Sequence, residues 1–263
     1  MAAEGAPHHP ILQAELAARL ESDRTFRDLL FGAELTLDEL DFTECRFERC
    51  MFQMPTMRGA DFSEAAFGDC RFAPMRLASC KFAKARLEGC TAFDAGAKKG
   101  CTFAFCDLQA AGIAKCNFAT CTFERCDLYG LEAAGTSFRG ASFHQSTFAK
   151  AISRRSVLTR AAFEGCNLSF ADLSGLSLPN CTFRSCRFTE ASLIDVDLGQ
   201  ATLRDCALDR VEWTRANLRQ ADLRGSGLAG LNLAVLADYA GLRISDSEQS
   251  EILKQLGVEV CIS

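Results

Sequence analysis

Between Ala161 and Leu233 a large apolar residue stands at every fifth position: Phe163, Leu168, Leu173, Leu178, Phe183, Phe188, Leu193, Leu198, Leu203, Leu208, Trp213, Leu218, Leu223, Leu228 and Leu233. Two residues before each stands a small or apolar residue, most often Ala or Cys. A period of five suits neither a helix, with about 3.6 residues per turn, nor a strand, whose side chains alternate. It requires a backbone that turns a corner every five residues. Four corners close a square coil of about twenty residues, and such coils stack as a solenoid. In each pentad the central residue and the small one before it point inward, and the other three face water.

The pattern extends upstream. One block is centred on Phe42, Phe47, Phe52, Met57, Phe62, Phe67, Phe72, Leu77, Phe82 and Leu87, with a start near Leu37 or Phe42. A second runs from Phe103 through Leu108, Ile113, Phe118, Phe123, Leu128, a weak Ala133, Phe138 and Phe143 to Phe148. The phase slips by one residue between Leu87 and Phe103. There Gly96 and Gly100 flank Lys98 and Lys99, so a bulge or projecting loop is expected near 91–101. At 150–157 the phase holds but the pattern fails: Ser153 occupies a lumen position, and this segment is expected to swing outward.

Composition fits a filled lumen. The chain has 21 Phe against one Trp and two Tyr, as expected of a core that stacks one ring type. Of 15 cysteines, all but Cys261 fall on the small inward position, which reads as packing interchangeable with Ala. Spacings of five do not resemble zinc motifs, so no metal, no cofactor and no structural disulfide are expected. No apolar run is long enough to span a membrane, and the N-terminus lacks the features of a signal peptide, so the expected location is cytoplasmic.

The ends read as caps. Residues 1–9 are expected to be disordered. Pro10 to Phe31 has helical spacing and should close the open end of the rod. Repeats are expected to end at Leu233. Ser245 to Glu248 has the pattern of a capping box opening a short helix through Leu256, and Val258 to Ile262 reads as a strand. The expected organisation is 1–40 tail and capping helix, 41–235 repeat body, and 236–263 helix and strand. The apolar face of Ile252, Leu253, Leu256 and Val258 is the expected dimerisation surface.

Ala171-Asp172-Leu173-Ser174-Gly175, Ala216-Asn217-Leu218 and Ala221-Asp222-Leu223-Arg224-Gly225 resemble the pentapeptide-repeat family motif, A-[DN]-L-x-x. The resemblance implies an all-β fold: a right-handed quadrilateral parallel β-helix, here with short N-terminal and C-terminal helical caps. The stretches Lys98 to Phe103, Phe138 to Phe143, Glu212 to Leu218 and Ile252 to Val258 further resemble the Qnr, McbG and MfpA-type topoisomerase-protecting proteins. That resemblance implies a homodimer, joined at its C-terminal ends, that binds DNA gyrase or topoisomerase IV and relieves a topoisomerase poison, either a quinolone or a natural toxin. It also places a contact loop after Phe143, so Ile152, Arg154 and Arg155 are the candidate partner residues, assisted by Lys98 and Lys99.

No catalytic constellation competes with a binding role. The histidines are His8, His9 and His144, and no phosphate loop or dinucleotide fingerprint occurs, so an enzyme is not expected. Charge argues against simple mimicry of DNA along the rod. Residues 1–40 carry eight acids and three bases, residues 41–235 carry 21 and 24, and residues 236–263 carry five and two. The body is mixed and the acidic excess lies at the ends. The bases form no single stripe, so direct nucleic-acid binding is not expected either. The competing reading is a structural or adaptor repeat protein, a scaffold or secreted effector, with an unrelated protein partner.

Overall fold

The inward residues of successive coils fall into four columns, one behind each face of a square rod. The first face carries Phe31, Phe52, Phe72, Phe118, Phe138 and Leu168 among others. The second carries Met57, Leu77, Phe103, Phe123, Phe143 and Leu173. The third carries Phe42, Phe62, Phe82, Leu108, Leu128 and Phe148. The fourth carries Phe47, Phe67, Leu87, Ile113, Phe163 and Phe183. All are buried. The structure, a computed structural model, describes residues 8–153 and 156–258.

Rings in one column stack face to face because the coil rise matches the spacing at which aromatic planes meet. Phe47 lies 4.7 Å from Phe67, Phe52 4.8 Å from Phe72, and Phe103 5.0 Å from Phe123. Neighbouring columns meet edge to face, as Phe42 does with Phe47 at 5.8 Å. Backbone groups pair from coil to coil: Phe42 N donates to Asp61 O at 2.7 Å and Asp61 N to Leu40 O at 2.9 Å. On the fourth face these bonds build one nine-stranded parallel sheet. This is the stacked square β-helix that the five-residue period predicts.

The corners are of two kinds. At a closed corner the next inward residue donates its N–H back to the preceding lumen residue, as Cys45 N does to Phe42 O at 3.1 Å and Cys181 N to Leu178 O at 3.2 Å. At an open corner, such as those between the fourth and first faces after Phe47, Phe67, Leu87 and Ile113, that return bond is absent among the described residues. The N–H is met instead by a side chain from the coil above. Cys116 N donates to Thr136 Oγ1 at 3.2 Å, Cys126 N to Ser146 Oγ at 3.0 Å, and Cys206 N to Ser226 Oγ at 2.9 Å. The same hydroxyl then donates to the lumen residue's carbonyl: Thr136 to Ile113 O, Ser146 to Phe123 O, Ser226 to Leu203 O.

Cysteine fills this place elsewhere. The Cys70 thiol donates to Phe47 O at 3.5 Å, Cys90 to Phe67 O at 3.5 Å, and Cys186 to Phe163 O at 3.4 Å. The Cys90 sulfur in turn receives the Cys70 N–H. Reading these cysteines as interchangeable with alanine is therefore corrected, because alanine would leave a buried N–H and carbonyl short of a partner. The corner after Phe52 solves the problem differently. Pro55 has no N–H to satisfy, and the residue above it is Met75.

Both ends depart from expectation. Helix α1 spans only Gln13–Glu21, not Pro10 to Phe31. Its Leu16 is buried, and Gln13 clamps Thr36 through both backbone groups. His9–Pro10 pairs in parallel with the strand Leu29–Gly32, and Ile11 enters the lumen. Phe26 and Phe31 lie in the first full coil, stacked on Phe47 at 5.0 Å and Phe52 at 4.7 Å. A helix could not place them there, and the stacking outweighs the helical spacing.

At the other end the coil continues past Leu233, with Asp238 bridged to Asn217 and Arg243 to Asp222. Helix α2, Gln249–Gln255, follows a short 3-10 turn at Asp246–Glu248. No capping box forms. Ser245 Oγ accepts from Gly225 N at 2.8 Å, and Glu248 accepts from Leu228 N at 3.1 Å. These side chains satisfy the last coil, whose N–H groups have no coil above them. The strand read at Val258 to Ile262, and Cys261, lie beyond the described residues except for Val258, which is exposed and outside any element.

Candidate partner-binding surface

Two hairpins leave the rod at its corners. The first, Phe93–Asp94 paired with Lys99–Gly100, rises where the first face turns into the second. Leu87 is consequently beside Ile113, twenty-six residues on instead of twenty. Lys98 and Lys99 are exposed, with Lys98 at a φ of 51°. Gly100 is required there: a Cβ would stand 2.6 Å from Cys121 N. The hairpin overhangs the first face and encloses a groove of about 510 Å³ lined by Phe72, Thr91, Phe93 and Asn117.

The second hairpin, Ala149–Ser153 with Ser156–Thr159, rises where the third face turns into the fourth. It inserts ten residues, so Ala133 pairs with Phe163. Ile152 is 61% exposed, and Ser153 lies outside the lumen as expected. Arg154 and Arg155 lie outside the described residues. The structure adds Val157, 65% exposed, and Leu158, 50% exposed, to the apolar surface of this hairpin. Leu158 was passed over because it still matches the pentad phase. Lys150 anchors the base, bonded to Gln109 at 3.3 Å and set over the Tyr129 ring. Beside this hairpin the fourth face is hollowed by Gly112, Ala114, Ala134 and Ala162 into a groove of about 670 Å³.

The hairpins stand on diagonally opposite corners of the square. Lys98 and Lys99 therefore do not share a face with Ile152, and a flat partner cannot touch both. At the C-terminal end Ile252 is buried beside Leu233, Leu242 and Ile244 of its own chain, while Leu256 and Val258 are exposed and Leu253 is half-buried. The reading in which Ile252 has no partner but a second copy is corrected accordingly. Val235 and Tyr239 add to the exposed apolar surface at this end.

Charges on the faces are mostly paired one coil apart. Lys81 bonds Asp61 at 2.9 Å, Lys84 bonds Glu64 at 2.7 Å, Arg49 bonds Asp28 at 2.7 Å and Arg210 bonds Glu190 at 2.7 Å. Asp222, almost buried, holds Arg204 at 2.8 Å and Arg224 at 2.9 Å. Such pairs align coils rather than create a field. Burial pushes the Cys101 thiol up to about 11 and the Cys181 thiol up to about 12, so these two are poor nucleophiles at neutral pH. The fourteen described cysteines are all free thiols. Among the described residues no cluster of three or more His, Cys, Asp or Glu is placed to hold a metal, and no helix is long and apolar enough to cross a membrane.

A four-sided parallel rod with inward pentads is the fold of pentapeptide-repeat proteins, and part of this chain matches the models of that family. Its residues 156–233 match the model of the pentapeptide repeat region, and residues 136–175 match that of pentapeptide repeats in eight copies. Among solved structures it resembles full-length QnrB1, a plasmid-mediated fluoroquinolone resistance protein: TM-score 0.70, 22% identity, 89% of this chain and 99% of that chain covered. A trypsin-treated QnrB1 aligns with TM-score 0.68 and 20% identity over 90% of this chain and 100% of that one. HetL, a pentapeptide-repeat protein of the cyanobacterium Nostoc involved in heterocyst differentiation regulation, aligns with TM-score 0.53 and 16% identity, covering 89% and 94%. No curated protein matches by sequence.

Proposed function

We propose that this protein is a non-catalytic, cytoplasmic binding protein that engages a type II topoisomerase, DNA gyrase or topoisomerase IV, and protects it from a poison. The observation that carries the reading is the second hairpin. Lumen packing is abandoned for ten residues to present Ile152, Val157 and Leu158 to solvent on a rod with the fold of a fluoroquinolone resistance protein. A rigid scaffold with an exposed apolar hairpin suits capture of a protein surface, since loops on such scaffolds carry contacts. Arg154 and Arg155, at its tip in sequence, supply guanidinium groups for enzyme carboxylates.

The active form is a homodimer joined at the C-terminal ends, where Tyr239, Leu256 and Val258 leave apolar surface exposed. Neither a cofactor nor a metal is needed for a role based on contact.

The test replaces residues 151–157 with a regular Leu-centred pentad run. The variant is expected to keep its melting temperature and its oligomeric state and to lose protection of purified gyrase in a poisoned supercoiling assay. Full protection by the folded variant would overturn the reading and favour a structural or adaptor role with an unrelated protein partner.

A further inference from the structure

We propose that the second face carries a docking site, separate from the second hairpin, for an extended carboxylate-rich segment of another protein. Two exposed phenylalanines mark it. Phe105, 50% exposed, sits on the corner between the second and third faces, and Phe170, 46% exposed, on the corner between the first and second. Both adopt left-handed backbone, at φ 56° and 61°. Left-handed backbone is unfavourable for a side chain with a Cβ, and the rod elsewhere fills such corners with Gly or with polar and charged residues, Ala110 apart; Phe105 and Phe170 are the two aromatic residues among those described. Neither ring serves the lumen.

Each ring holds an arginine instead. The Arg125 guanidinium lies 5.6 Å from the Phe105 ring and that of Arg139 lies 4.5 Å from the Phe170 ring. The two arginines stand one coil apart on opposite edges of the same face, each flanked on its outer side by its phenylalanine. Most other coils pair their cations with a carboxylate from the adjacent coil, but here that pairing is absent. Arg125 bonds the neutral Gln145 at 2.7 Å, and among the described residues neither arginine, nor Lys98 or Lys99 on the Phe170 corner below, forms an ion pair. A ring contact steadies a guanidinium while leaving N–H groups to grip a carboxylate: the two Nη groups of Arg125, whose Nε bonds Gln145, and the guanidinium of Arg139.

Between the arginines the face presents Thr122, Ser142 and His144. Its carboxylates are engaged: Glu124 with Arg76 at 3.2 Å, Asp172 with Ser174 N at 3.0 Å, and Asp94 with Ala97 N at 2.8 Å. Arg125, Arg139, Lys98, Lys99 and Arg76 outnumber Glu124, Asp172 and Asp94 on this face although the chain's net charge is −5, so charge complementarity selects an acidic protein segment. The basic residues form a short cluster and no stripe along the rod, which disfavours a continuous phosphate backbone. The second hairpin lies off this face, so the site does not depend on the topoisomerase reading.

The probe is a fluorescein-labelled ten-residue oligoglutamate, titrated with full-length protein and followed by anisotropy at low and moderate salt. Wild type is expected to bind in a salt-sensitive manner. The variant Arg125→Gln/Arg139→Gln is expected to bind at least about tenfold more weakly, the loss of two charge-assisted contacts. The variant Phe105→Asn/Phe170→Asn is expected to weaken binding while its melting temperature stays level or rises, because Asn suits the backbone, as Asn180 does at φ 60°. Arg210→Gln should change nothing. Absence of wild-type binding, equal binding by the arginine variant, tighter binding of duplex DNA, or a fall in stability with unchanged binding in the asparagine variant would each overturn the proposal.

Discussion

The lower and upper halves of the rod use the same pentad and build different coils. From Phe26 to Phe163 the lumen is largely phenylalanine, with rings stacked coil on coil. From Met57 to Phe123 the corners between the second and third faces are open, served by Cys80, Cys106, Cys126 and Ser146; the corner after Phe143 already closes. Both hairpins belong to this half. From Leu168 onward the lumen is mostly leucine, and the same corners close on themselves: Leu176 N to Leu173 O, Val196 N to Leu193 O and Ala216 N to Trp213 O. The difference teaches that corner type is set by the residue one coil later. Where that residue is Cys, Ser or Thr, its side chain relieves the corner below of its return bond; where it is Ala, Val or Leu, the backbone must close by itself.

The coarsest test of the contrast is a lumen charge. Phe123→Asp and Leu198→Asp should both unfold or aggregate the protein, since an unpaired buried carboxylate costs several kcal/mol. A soluble Leu198→Asp variant with wild-type circular dichroism would show the upper lumen to be plastic and the contrast real in rigidity as well as in composition.

Alkaline stability should separate the halves next. Cys70, Cys90 and Cys101 are held at about 12, about 12 and about 11, the first two chiefly through neighbouring thiols and the last chiefly by burial. The unfolded chain begins to lose these protons near pH 9, about the ordinary thiol value. Each thiol's contribution is complete below that pH and is lost as pH rises towards 11–12, by up to about 1.4 kcal/mol per unit. The melting temperature should therefore fall above about pH 9, with hydrogen exchange accelerating first in the cysteine-dense lower half. Exchange starting above Leu193 would break the comparison.

Single corners give the finer test. Cys90→Ser should retain wild-type stability within about 1 kcal/mol, because Thr136 and Ser226 already do its work, whereas Cys90→Ala should lose about 1–3 kcal/mol. Cys181 accepts the Ala161 N–H but has no thiol-to-carbonyl bond among the described residues, so Cys181→Ala should lower the denaturant midpoint by less than Cys90→Ala does. Smallest of all, Gln220→Gly, at a corner with φ 56°, should stabilise by up to about 1 kcal/mol.

The square coil was legible because burial repeats with a period no other element shares, and the columns follow from it. Both hairpins were legible as failures of that period, at Gly96 to Gly100 and at Ser153. Phe26 and Phe31 were misread because their five-residue spacing lies next to a run, Ile11 to Leu20, that also fits a helix; stacking across coils decided it. The role of the cysteines was hidden because it depends on which residue lies twenty positions earlier and whether its N–H is already bonded. Phe105 and Phe170 were missed as well. They sit outside the inward positions, and only their exposure together with a left-handed backbone sets them apart.

Both hairpins return the chain to the corner it left. Coil spacing is undisturbed although one coil is lengthened by six residues and another by ten. A corner thus works as a socket: whatever is inserted, only its two feet must fit. New recognition elements can be acquired, lengthened or exchanged one corner at a time without renegotiating the interior. A chain of this architecture can therefore change its partner faster than its core, and grafting a hairpin from one rod to another is a question of matching feet, such as Ala149 and Thr159, rather than of matching sequences.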